Sequence, residues 1–159
     1  MAPENKDKSS PELILQWRAG RKRGILKTSF MNKAMNTEQK KVLLVEDDKF
    51  LSSLLKNRLE KSGIQTFHAT DGEGALEIMR REHPSLILLD IILPKKTGFE
   101  VLEEIQADPA LKGAQVMVIS NLGQDDDVSR GKELGAIEYF VKAQTSIDTL
   151  VERIVAHTA

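Results

Sequence analysis

Four short stretches of this 159-residue chain hold residue types that could do chemistry together: Glu46-Asp47-Asp48, Asp90, Ser120 and Lys142. Each directly follows an apolar run. Clustered carboxylates repel one another, and their pKa values rise unless something positive lies between them. An all-oxygen site with two or three carboxylates and room for water suits Mg²⁺, which keeps part of its hydration shell. Such a cation lets a phosphate group approach a pocket that would otherwise reject it. A carboxylate can attack a phosphoryl group and form an acyl phosphate. Catalysis of that transfer rests on positioning and on neutralising charge around the transferred group. Lys142 offers a fixed ammonium and Ser120 a hydroxyl donor, which would complete a phosphoryl site.

Placing these residues together requires particular elements. Val42-Leu43-Leu44-Val45 is a short apolar run that stops at the acids, and it reads as a buried strand. Phe50, Leu51, Leu54, Leu55 and Leu59 recur at helical spacing, with Ser62-Gly63 as the stop. Further strands are expected over residues 64–69, 85–90, 116–119 and 136–141. Helices are expected after Asp71-Gly72 (Ala75, Leu76, Ile78, Met79), from Phe99 (with Val101, Leu102 and Ile105), around 126–134, and over 146–157, where Leu150, Ile154 and Val155 form the inward side. Strand and helix thus alternate five times. That pattern predicts an α/β fold, a five-stranded parallel sheet with helices on both faces, doubly wound and flavodoxin-like. In open sheets of this kind the active crevice lies beyond the carboxyl ends of the strands, where the acids, Ser120 and Lys142 fall.

Composition narrows the function. Without cysteine, disulfides and thiolate metal sites are excluded, which fits a reducing cytosol. No apolar run reaches the roughly 18 to 20 residues of a membrane span. A cytoplasmic protein without a membrane partner is the expectation. The net charge of −1 hides an asymmetry. Up to Lys40 there are nine Lys/Arg against four Asp/Glu, and beyond it 14 against 20. Residues 1–38 read as a basic, flexible N-terminal extension, and residues 39–159 as an acidic domain that would repel nucleic-acid phosphates. Within the extension, Pro11 to Trp17 has the makings of a short amphipathic helix, and Met31 and Met35 are alternative starts.

VLLVEDD, LILLDIILPKKTG, VMVIS and EYFVK, in that order and each at a strand end, resemble the receiver domain of two-component response regulators. The likeness spans residues 41 to 158. It implies that Asp90 is the phospho-acceptor, that Asp47 binds Mg²⁺ directly, and that Glu46 does so through water. It further implies that the Ile92 backbone carbonyl faces the metal. Ser120 falls at the hydroxyl position, Lys142 at the phosphate-contacting lysine and Tyr139 at the aromatic switch. The implied partners are a sensor histidine kinase or histidine phosphotransfer protein upstream and a protein target downstream. A stand-alone receiver with no DNA-binding domain is expected, signalling through its fourth helix, fifth strand and fifth helix.

Ala143 follows Lys142 where the family usually has a proline after a cis bond. A cis bond before a non-proline residue costs about 2.5 to 4 kcal/mol, so a trans peptide is the expectation. Simpler roles also exist: Asp48 as a helix cap, Tyr139 as packing on the sheet edge, Asp125-Asp126-Asp127 as a solvated helix start, and His68, His83 and His157 as surface or loop residues. A flavodoxin-like electron carrier lacks its phosphate loop here, because acids stand in its place. A haloacid-dehalogenase-type phosphatase lacks its second acid in Asp90-Ile91-Ile92. A phosphorylation-independent pseudo-receiver acting as a scaffold or adaptor is the remaining alternative.

Overall fold

A computed structural model describes residues 39–159. The basic extension and its Pro11–Trp17 segment lie outside the described residues. The elements are β1 (Lys41–Val45), α1 (Lys49–Lys61), β2 (Gln65–Ala69), α2 (Gly72–Glu82), β3 (Leu86–Leu89), α3 (Gly98–Ala107), β4 (Gln115–Ser120), α4 (Asp125–Glu133), β5 (Glu138–Val141) and α5 (Ile147–Thr158). A short 3₁₀ turn, Lys142–Gln144, joins β5 to α5.

All four strand pairings are parallel, in the order β2-β1-β3-β4-β5. A parallel sheet covered on both faces needs strands that are apolar on both sides, which is why β3 reads Leu-Ile-Leu-Leu and is wholly buried. Leu43, Val45, Ile87, Leu89, Val116 and Val118 pack against the buried sides of α2 and α3. Val42, Leu44, Leu86, Leu88, Met117 and Ile119 meet Leu55 and Leu59 of α1 and Leu150 and Ile154 of α5. Each fully buried Leu or Ile side chain contributes about 1.5–3 kcal/mol of transfer free energy. The central strands β1 and β3 are therefore the most firmly set elements. The chain reverses its direction of winding between them, and the crevice of such a sheet opens there.

Local signals fix the helix starts. The Asp48 carboxylate accepts from the Phe50 and Leu51 N–H groups at 2.8 and 3.0 Å, so this acid caps α1. Asp71 caps α2 through the Gly74 N–H, and Thr97 with Glu100 forms a reciprocal capping box on α3. Two helix positions read as inward face solvent instead. Phe50 is 80 % exposed, because the Asp48 cap leaves it in the first turn of α1 at the rim of the sheet. Val155 is exposed because Leu150 and Ile154 already fill the α5 stripe, and the next residue is turned about 100° away. β5 is shorter than expected and begins at Glu138. Ala136 and Ile137 form the turn into it, and the Ile137 N–H donates to Val116 O at 2.8 Å.

Candidate functional site

The two strands at the reversal deliver the acids. Beyond the end of β1, the Glu46 N–H donates to Ala69 O at 3.0 Å, and the Asp90 N–H past β3 donates to Val45 O at 3.0 Å. Backbone pairing thus carries both acids one step beyond the sheet. Glu46 is fully buried and Asp90 nearly so. Asp47 is exposed at the mouth. The Lys142 ammonium, delivered from the end of β5, lies 2.7 Å from Glu46 Oε2 and 2.7 Å from Asp90 Oδ2. The other oxygens are also engaged: Asp90 Oδ1 accepts from the Ile92 N–H at 3.1 Å, and Glu46 Oε1 from the Asp48 N–H at 3.0 Å.

The electrostatics follow from burial. Loss of water pushes the Glu46 carboxyl above the usual carboxylate range, although the Lys142 ammonium and the Asp48 N–H pull the other way. Burial also works against the Lys142 ammonium, but the Asp90 and Glu46 carboxylates outweigh it and hold its pKa above the ordinary value. Lys142 makes its well-directed hydrogen bond to Asp90. Among the described residues, Glu46 Oε2 is buried without any hydrogen bond of good geometry. Glu46, Asp47 and Asp90 together present one oxygen each within 4.8 Å of one another. Hard, clustered carboxylate oxygens with one of them under-satisfied fit a small divalent cation.

An open cavity of about 490 Å³ lies over these groups, rimmed by Phe50, Ile92 and Asn121. The loop beyond Asp90 stays close to it because Gly98 has no side chain. A Cβ there would collide with the Asp90 carbonyl oxygen and stand 2.7 Å from Ile91 Cα. The Lys142–Ala143 peptide is trans, and Lys142 still reaches Asp90.

Ser120 and Tyr139 both meet Leu122 in the loop after β4. Ser120 is buried at the end of β4, and its Oγ accepts from the Leu122 N–H at 3.2 Å. The Tyr139 hydroxyl donates to Leu122 O at 2.7 Å, and its half-buried ring lies against Gly131 of α4. Burial, then the charge of Asp127, raises its phenol pKa. Neither side chain lines the cavity.

The family model for the response regulator receiver domain matches residues 42–155. The chain belongs to the response regulator receiver family. Among curated relatives, the probable transcriptional regulator ycf27 of Cyanophora paradoxa is 36 % identical over 68 % of this chain and 44 % of its own length. Sporulation initiation phosphotransferase F of Bacillus subtilis (strain 168) is 35 % identical over 64 % of this chain and 81 % of its own length. The chain spans about two fifths of the ycf27 relatives' length, 42 to 44 % in the first three. Among solved structures, the Mn²⁺-bound form of response regulator Rcp1 superposes with a TM-score of 0.65 at 36 % identity, covering 74 % of this chain and 92 % of that one. The receiver domain of Francisella response regulator 1452 gives 0.69 at 28 % identity, covering 76 % and 97 %.

The receiver fold therefore holds as expected. Its strand ends bring Glu46, Asp47, Asp90 and Lys142 together, leave Ile92 at the rim, and set Ser120 and Tyr139 against Leu122 of the loop after β4. Among the described residues, no helix is long and apolar enough to cross a membrane. The expectation of a surface or loop residue fails at His68. It lies on β2, half-buried, with Nε2 2.8 Å from the Glu46 carbonyl oxygen. No motif marks it in the sequence. The signal available was its position near the end of the second strand, which a sheet of this order sets beside the first.

Proposed function

We propose that Asp90 accepts a phosphoryl group from a phosphohistidine on a sensor histidine kinase or phosphotransfer protein. The observation that carries this reading is the pairing of Asp90 Oδ2 with the Lys142 ammonium at 2.7 Å, beside two further acids and under an open cavity. An Asp90 oxygen forms the bond to phosphorus as the P–N bond of the donor breaks, and the imidazole leaves with that electron pair and takes up a proton. Glu46, Asp47, Asp90 and the Ile92 carbonyl would hold Mg²⁺, which supplies positive charge against the phosphate oxygens. Ile92 N–H orients the Asp90 carboxylate. Lys142, freed from its carboxylate contact, pairs with the transferred group. The protein catalyses only its own phosphorylation and dephosphorylation.

Phosphorylation draws the Ser120 hydroxyl from the Leu122 N–H toward the phosphate, and Tyr139 shifts with that loop. The surface of α4, β5 and α5 is thereby changed for a downstream protein. The cytoplasm, where histidine kinases present their phosphoryl groups, is the matching compartment.

The test is incubation with Mg²⁺ and acetyl phosphate. Wild type should give an acid-stable, base-labile phosphoprotein, and Asp90→Ala none. An unlabelled wild type, with a folded domain and Mg²⁺ present, would favour the pseudo-receiver reading.

A further inference from the structure

The Glu46 carbonyl is a strand-end group that the sheet leaves behind. β1 and β2 run in register from Lys41 opposite Gln65 to Val45 opposite Ala69. Their ladder ends with the Glu46 N–H donating to Ala69 O. β2 then turns into α2, whose cap, Asp71, spends its side chain on Gly74. The next backbone donor that would have satisfied Glu46 O has left the sheet. A carbonyl beside a fully buried residue needs a partner, and among the described residues the His68 imidazole supplies it, with Nε2 at 2.8 Å.

We infer that His68 is a positioning residue for the acid pair, acting through the Glu46–Asp47 peptide. This inference rests on the proposed metal-binding role of those acids. The peptide plane that carries Glu46 O also carries the Asp47 N–H, so holding the oxygen sets the direction in which the chain delivers Asp47. Besides the ion pair with Lys142, three hydrogen bonds fix Glu46: the Glu46 N–H donates to Ala69 O, Glu46 Oε1 accepts from the Asp48 N–H, and its carbonyl accepts from His68. The first two hold the residue and its carboxylate. The third is the one, among the described residues, that orients the peptide leading to the exposed Asp47. Groups that hold metal ligands from outside typically change metal affinity 10- to 100-fold when removed.

The donor must be Nε2–H, so the tautomer is specified. Glutamine places an N–H at a similar reach, whereas leucine fills similar space with no donor. Mg²⁺ binding by calorimetry should therefore weaken about 10-fold in His68→Leu and stay within about twofold of wild type in His68→Gln. Acetyl-phosphate labelling of His68→Leu should recover at saturating Mg²⁺. Wild-type affinity in folded His68→Leu would overturn the inference, and so would equal weakening in both variants. Long-range ¹H–¹⁵N spectra of the wild type give a check that does not depend on any variant folding. A proton on Nε2 is expected, and a neutral ring protonated only on Nδ1 would overturn the assignment. Wild-type protein that binds no Mg²⁺ is a separate result: it removes the metal-site reading and this inference with it.

Discussion

At the carboxyl ends of β1, β3 and β5, polar groups are held by short bonds to the backbone and to one another. Helix α4, on the same sheet, is attached in a different way. Its only buried residue is Gly131, and its N-cap, Gln124, makes no side-chain capping bond. By contrast, α3 buries five residues including Phe99, Val101 and Ile105. The contacts that hold α4 include the Tyr139 ring against Gly131, the Arg130 guanidinium 4.2 Å from the centre of the Phe99 ring, an Arg130–Glu103 ion pair at 3.2 Å, and its C-cap Leu134, which packs on the core and whose carbonyl accepts from Gln106 Nε2 at 3.1 Å. The Arg130 contacts are worth about 0.5–1 kcal/mol each at exposed sites. The difference suits the proposed function: phosphoryl transfer needs fixed atoms, and a response needs an element that moves at low cost.

The most severe way to break this contrast is at Lys142. Replacing it by Met leaves Glu46 and Asp90 buried without their cation, which costs about 3–5 kcal/mol. Urea unfolding without Mg²⁺ should show a fall of that size, and added Mg²⁺ should restore more stability to the variant than to wild type.

A matched pair of glycine substitutions compares the two regions directly. In Gly98→Ala the new Cβ meets the Asp90 backbone, which cannot yield. The loss should reach the upper end of the about 1–3 kcal/mol typical of overpacking, with impaired labelling. In Gly131→Ala the new Cβ meets the edge of the Tyr139 ring at 2.8 Å, and the ring can turn. The better helix propensity of Ala, about 1 kcal/mol, offsets that contact. Stability should change by less than about 1 kcal/mol. Equal losses in both variants would remove the contrast.

Tyr139→Phe removes the hydroxyl bond to Leu122 O, worth about 1 kcal/mol. Amide exchange should quicken in α4 and the loop before it, and stay unchanged at β1 and β3.

The smallest expected effect lies at the far edge of the sheet. Glu138 is paired with Arg153, which together with the neighbouring His157 holds its carboxyl below the ordinary range. A lowered carboxylate pKa stabilises the fold above the unfolded value of about 4.3, and that contribution is lost as pH falls through the folded value. Glu138→Gln should thus cost about 0.5–1 kcal/mol at pH 7. In thermal unfolding, the gap to wild type should close in acid below about pH 4.

Much of the acceptor end was legible in the sequence because its signals are local. An apolar run of four residues ending in an acid states both the strand and the group at its tip, as Val42 to Glu46 and Leu86 to Asp90 do. Asp48 as a cap was legible for the same reason, since its partners are two and three residues away. Helical spacing counts Phe50 in the apolar stripe, whereas the first turn of α1 leaves it exposed. The partners of Ser120 and Tyr139 depend on how one loop folds back, which spacing does not encode. His68 serves a carbonyl 22 residues away, through a register that only the assembled sheet defines.

Mapping the modified residue decides whether Asp90 carries the phosphoryl group. Wild-type protein treated with acetyl phosphate and Mg²⁺ would be reduced with borohydride, which converts an aspartyl phosphate to homoserine, then digested and sequenced by mass spectrometry. Homoserine is expected at position 90 and nowhere else. Homoserine at Asp47 or Asp48, or unmodified Asp90 in protein that has gained a phosphoryl group, would contradict it.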